Sequence, residues 1–165
     1  MLAGGRDTVV KLMSGCLWHL ANNTEHKLVL RQKPELIPDF VNEMVRFLSP
    51  LPMMHRVDVH ETTNPEEPKY AWLSFISANQ DEHVISNPEQ IRLDRGANPH
   101  LGFGYGRHSC IGMHLAQLEA KVMLELWLEK FSDWEVLETS ELFFDFDEYK
   151  FIPSRFHRLH LKVIS

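Results

Sequence analysis

One stretch, Phe103-Gly-Tyr-Gly-Arg-His-Ser-Cys-Ile-Gly112, constrains this chain more than any other. It holds Gly104, Gly106 and Gly112, the cysteine Cys110, and a helical pattern that begins directly after that cysteine. Glycines let the backbone turn through φ > 0 and come close to a bound group. A cysteine at a helix N-terminus meets partial positive charge, which favours thiolate over thiol. A thiolate held in such a turn, among backbone N–H groups, suits an axial ligand of haem iron. Phe103 is placed to screen the sulfur from water. The plainer reading of the same residues is a glycine-rich turn with a buried free cysteine ahead of a helix.

The segments around this stretch read mainly as helices. Val9, Val10, Leu12, Met13, Leu17 and Leu20 give residues 5–21 a broad apolar face. Thr24 is placed to cap a short helix through Gln32, which Lys33-Pro34 breaks. A further helix runs from about Glu35 to Leu48, with Phe40, Val41, Met44, Val45 and Leu48 at helical spacing, and stops before Pro50. After the cysteine, Ile111, Leu115, Leu118, Val122 and Leu126 recur at helical spacing and predict a core stripe on a helix reaching Phe131. Trp127 on it reads as core. Val57-Asp58-Val59, Tyr70–Ile76, Trp134–Leu137 and Arg158–Ile164 read as strands, and Asn79–Ile85 as a short helix. Residues 88–102 are irregular, and His100 reads as a loop histidine, with a polar anchor as the alternative.

Composition narrows the function classes. A net charge of −6 has the wrong sign for a general nucleic-acid binder. Only Cys16 and Cys110 are available, so at most one disulfide exists, which suits a reducing compartment. No apolar run reaches the ~18 residues of a membrane span, and the first residues lack the pattern of a signal peptide.

Three further motifs, in order along the chain, decide between the readings of the cysteine stretch. Gly4-Gly5-Arg6-Asp7-Thr8 pairs a weak helical segment with an acid and an alcohol, which suits proton transfer; a simple capped helix start is the alternative. Glu43-Met-Val-Arg46 places an acid and a base on one helix face. Ile91-Arg-Leu-Asp-Arg95 adds a second arginine in the loop. Together with Phe103, Gly106, Cys110 and Gly112 in register, these motifs resemble those of the cytochrome P450 monooxygenases. The Asp-Thr-Val-Val form is similar to the camphor-hydroxylating, soluble bacterial members.

That resemblance implies a mainly α fold with small β-sheets, of the α+β class. Residues 1–165 would form the C-terminal haem-binding portion of one domain whose N-terminal half is missing. Cys110 would be the thiolate ligand of haem b, in a cradle of Phe103, Gly104, Gly106 and Gly112. Arg56 and His108 would meet the propionates, Glu43, Arg46 and Arg95 would form a structural triad, and Asp7 and Thr8 would deliver protons. The implied reaction is O2-dependent hydroxylation of a small organic substrate. Electrons would come from a ferredoxin and its reductase, in the cytoplasm and with no membrane segment in the chain. A chain lacking half the fold is expected to bind haem poorly alone. Two other readings stand beside this one: an inactive remnant, and a haem- or metal-binding module without catalysis, for instance zinc at His108, Cys110 and His114.

Overall fold

The computed structural model describes residues 2–164. Its framework is set by α3 (Ile37–Leu48), where Phe40, Val41, Met44, Val45 and Leu48 are all buried. Each such side chain contributes about 1.5–3 kcal/mol when taken out of water. Ahead of α3 come α1 (Leu2–Asn22) and α2 (Thr24–Gln32), then a 3-10 turn at Pro34–Leu36. Behind it come β1 (Met53–Val57), β2 (Tyr70–Ser74), α4 (Phe75–Asn79), a long loop, and α5 (Met113–Lys130). The last elements are β3 (Asp133–Val136), β4 (Glu141–Phe143), β5 (Arg155–Arg158) and β6 (Leu161–Ile164).

The strands form three antiparallel pairs, β1 with β2, β3 with β6 and β4 with β5. One core joins α1, α2, α3, α5 and β3 through residues such as Leu12, Leu20, Leu30, Leu124 and Trp134. Trp134 is fixed there twice: its indole N–H donates to the Leu17 carbonyl at 3.0 Å, and the Lys27 ammonium lies 4.7 Å from its ring centroid. The result is mainly helical with small sheets, the class expected of the sequence.

Several local expectations are corrected. Asn23, not Thr24, caps α2, because its side chain accepts the His26 N–H. The first strand lies at Met53–Val57, not at residues 57–59 where it was expected. Asp58 stops it by accepting the N–H groups of His60 and Glu61, which turns the chain. The second strand ends at Ser74, whose hydroxyl caps α4 by accepting the Ser77 N–H. The short helix is therefore Phe75–Asn79, and residues 81–85 form turns. The long helix begins at Met113, with Gly112 as its N-cap, so Cys110 precedes the helix instead of heading it.

The largest correction concerns α5. Ile111, Leu115, Leu118, Val122 and Leu126 are exposed, at 41–92%. The face turned to α1 and α3 carries Ala120, Leu124 and Leu128 instead. These lie two residues on from Leu118, Val122 and Leu126, hence on the opposite side of the helix. A helix apolar on both sides offers no amphipathic contrast from which periodicity can choose the inner face.

The α1–α2 junction holds a half-buried histidine pair. His19 Nε2 and His26 Nδ1 are 2.9 Å apart, and His19 packs against the Phe40 ring at 5.8 Å between centroids. Burial, and then the neighbouring His26, push the His19 pKa down to about 4. The unfolded chain therefore takes up this proton first as pH falls. Stability is full above about pH 6.5 and is lost towards pH 4, with His19 contributing about 3 kcal/mol of the loss. Thermal melts from pH 7 to pH 4 are expected to show the decline, and His19→Leu to flatten it; an equally steep profile in the variant would remove His19 as its cause.

Candidate functional site

The site is built outward from Glu43, 1% exposed, and Arg46, fully buried, three residues apart on α3. Arg46 donates from Nε to Oε2 of Glu43 at 2.9 Å and from Nη2 to Oε1 at 2.8 Å, a two-pronged pair. The rest of its guanidinium reaches the carbonyls of Asn79, Pro88 and Gln90 at 2.8–3.0 Å. Arg95 adds a third member: its Nε donates to Glu43 Oε1 at 2.9 Å, and its Nη atoms donate to the carbonyls of Ser86, Asn87 and Gln90. Asn98 Nδ2 and the Arg92 backbone N–H complete the shell on Glu43. A helix and the irregular loop after α4 are thus held by one carboxylate.

That loop leads directly into the cysteine turn. Asn79, fully buried, accepts the Leu101 N–H at 2.7 Å through Oδ1. His100 accepts the Gly102 N–H at Nδ1 (3.1 Å) and reaches Asn42 Oδ1 from Nε2 at 2.8 Å. The first bond leaves Nδ1 bare, so the ring proton sits on Nε2 and points at Asn42. Burial, then the nearby Arg46 charge, push the His100 pKa down to about 4, which keeps this tautomer neutral. Gly102 lies so close to α3 that a Cβ there would fall 2.6 Å from Val45 Cγ1. His100, read from sequence as a loop histidine, is therefore an anchor. Asn79 gave no signal, because its partners are 22 and 30 residues away.

The turn itself is closed by the Cys110 N–H donating to the Phe103 carbonyl at 2.8 Å. Gly104 and Gly106 have φ of 71° and 66°, the left-handed region that glycine enters without cost. The Phe103 ring packs on the core and on His100, at 6.0 Å between centroids, and Cys110 stays exposed. Phe103 thus supports the turn from beneath. His108 ends a one-turn 3-10 helix, Gly106–His108, on the exposed side of the turn. Arg56 sits on β1, its Nη1 donating to its neighbour's carbonyl, that of His55, at 3.0 Å.

Asp7 and Thr8 lie on α1, which continues as a helix through Gly4 and Gly5. The Thr8 hydroxyl donates to the Gly4 carbonyl at 2.9 Å, and Asp7 is exposed with Arg6 at 4.0 Å. Thr8 bonds back into its own helix and caps nothing. Among the described residues no three His, Cys, Asp or Glu side chains form a metal-holding cluster, so His108, Cys110 and His114 do not make a zinc centre. No described helix is long and apolar enough to cross a membrane.

The family model described as Cytochrome P450 matches residues 11–152. The chain belongs to the cytochrome P450 family. Cytochrome P450-terp of Pseudomonas sp. is 38% identical over 136 residues, covering 80% of this chain and 32% of that protein. The biotin biosynthesis cytochrome P450 of Bacillus subtilis is 36% identical, with 76% and 33% covered. Among solved structures, a carbohydrate-active P450 superposes with a TM-score of 0.84 at 34% identity, covering 98% of this chain and 44% of that one. The bacillaene polyketide synthase cytochrome P450 PksS of Bacillus subtilis superposes with a TM-score of 0.83 at 26% identity, with 99% and 43% covered. This P450 chain therefore spans about a third of the length of these curated relatives and carries part of the family fold. Family membership implies haem bound through a cysteine thiolate as the general cofactor.

Glu43→Gln tests what the carboxylate holds. The amide keeps the shape but leaves two guanidinium groups without a counter-charge, one fully buried and one nearly so. The expected cost is about 3–5 kcal/mol, as for breaking other buried ion pairs. Denaturant titration should show it, and a loss under ~1 kcal/mol would mean the loop is held elsewhere.

Proposed function

We propose that residues 1–165 are the haem-binding portion of a single haem-thiolate monooxygenase domain, with Cys110 as the ligand of haem b. The observation that supports this most is the turn: an exposed free cysteine whose backbone is fixed by Phe103 and by two left-handed glycines. The residues fit the group. The sulfur is open to a flat cofactor, and Gly112 sits where a Cβ would lie 3.9 Å from Sγ, which a longer side chain would crowd. Arg56 and His108 supply basic side chains for the two propionates. A charge-assisted contact there would orient the ring.

When bound, haem supplies the oxygen chemistry: R–H + O2 + 2 electrons + 2 protons gives R–OH + H2O, with thiolate ligation favouring O–O cleavage. The chain's own residues do the rest. Cys110 would bind the haem iron through its thiolate and donate charge to it. The triad of Glu43, Arg46 and Arg95, with Asn79 and His100, keeps its loop from moving. Thr8, whose hydroxyl proton is committed to the Gly4 carbonyl, keeps its oxygen lone pairs open to accept a hydrogen bond. Asp7, exposed beside it, exchanges protons with solvent. The substrate would be a small organic molecule. The electrons would come from a ferredoxin and its reductase, in the cytoplasm, where a free Cys110 stays reduced.

An inactive remnant would keep the turn without turnover. Both readings are tested by expressing the chain with added haem and recording its reduced, carbon monoxide-bound spectrum. A red-shifted thiolate-type Soret band that disappears in Cys110→Ala supports the ligand assignment, and no band means that these 165 residues do not build the site alone. A band unchanged in that variant would overturn the ligand assignment. With the band present, loss of product but not of the band in Thr8→Ala supports proton delivery; turnover unchanged in that variant removes Thr8 from it.

A further inference from the structure

A buried polar path, whose α1 end the monooxygenase reading does not use, runs from α1 to the cysteine turn. Lys11, one turn beyond Asp7, is only 8% exposed. Its Nζ donates to the Ser49 carbonyl at 3.4 Å and lies 5.7 Å from the Phe146 ring centroid. Burial lowers its pKa to about 8, and no carboxylate among the described residues offsets that loss. Ser49, fully buried, ends α3 with a φ of 40°, and its hydroxyl donates to the Arg46 carbonyl while accepting from Asn79 Nδ2 at 3.0 Å. Asn79 Oδ1 then takes the Leu101 N–H at 2.7 Å. Two residues on, the Phe103 carbonyl accepts the Cys110 N–H.

We propose that Lys11, Ser49 and Asn79 form a positioning strut that locks the helix carrying Asp7 and Thr8 to the loop carrying Cys110. The reasoning is energetic. An ammonium buried without a counter-charge costs stability, and a methionine would fill the same space without that cost. What the lysine adds is direction: it has one carbonyl to point at, and that carbonyl belongs to the residue on which Asn79 hangs. Ser49 accepts strain at its left-handed backbone and in return offers a carbonyl to α1 and a hydroxyl to the loop. The strut matters for catalysis only if Cys110 and Thr8 act as proposed above, so its meaning rests on that reading; its existence does not.

The test is amide hydrogen exchange by NMR on the purified chain, with Phe40 and Met44 as core references. In Lys11→Met the melting temperature should hold or rise, since a buried charge is gone. The Leu101 amide should nonetheless exchange about tenfold faster relative to the references, a local opening. Loss of local protection with no loss of global stability is a signature that a purely space-filling role would not give. Ser49→Gly, which suits the left-handed backbone and deletes the hydroxyl, should speed Leu101 as much, and the double variant no further. The strut is refuted if Lys11→Met leaves the Leu101 ratio unchanged, if all amides speed up together, or if the two effects add in full. The carbon monoxide spectrum reads the thiolate separately, so either idea can fail alone.

Discussion

The carboxylate of Glu43 is the point on which the rest of the site depends. It accepts from both arginines of the triad, from Asn98 and from the Arg92 backbone, while almost fully buried. A charge taken out of water is tolerable only when its lone pairs are filled, and here they are. The energetic return on so costly a group is modest. Its geometric return is large, because a planar guanidinium on each side can bind the carboxylate and several loop carbonyls at once. A stretch with little regular structure of its own, from Gln80 to Gly112, thereby acquires a fixed shape.

The cysteine turn uses that shape. Its position is set by three backbone N–H groups, those of Leu101, Gly102 and Cys110, each with a named acceptor. Two of those acceptors are side chains anchored in the interior, so the turn is held through its main chain and its side chains are left free. Tyr105, Arg107, His108 and Cys110 all face outward. This is the arrangement of a rigid frame presenting an open sulfur, in contrast to a cysteine that serves packing, such as the fully buried Cys16.

What could be read beforehand follows from the range of the interactions. The cysteine stretch and the Glu43–Arg46 pair are local patterns, legible because their chemistry lies within ten residues. The apolar face of α3 was equally plain, since its polar residues mark the other side. The α5 face was not, because apolar residues line both of its sides and only tertiary packing selects Ala120, Leu124 and Leu128. The roles of Asn79, His100 and Lys11 are longer-range still. Each joins residues 22–58 positions apart, and no spacing rule announces such bonds. The strand limits were missed for the opposite reason: single side chains, Asp58 and Ser74, end the strands by turning back on the next N–H groups.

The uncovered row on α5 also governs how copies of this chain meet one another. Leu115, Leu118, Val122 and Leu126 stand exposed along one side of that helix, with Ile111 just ahead of it, and an apolar strip of this kind favours association. At neutral pH the net charge of −6 keeps them apart. Salt that screens this charge lets the strips meet, so ionic strength, and not the melting point alone, sets the conditions under which the protein stays in solution.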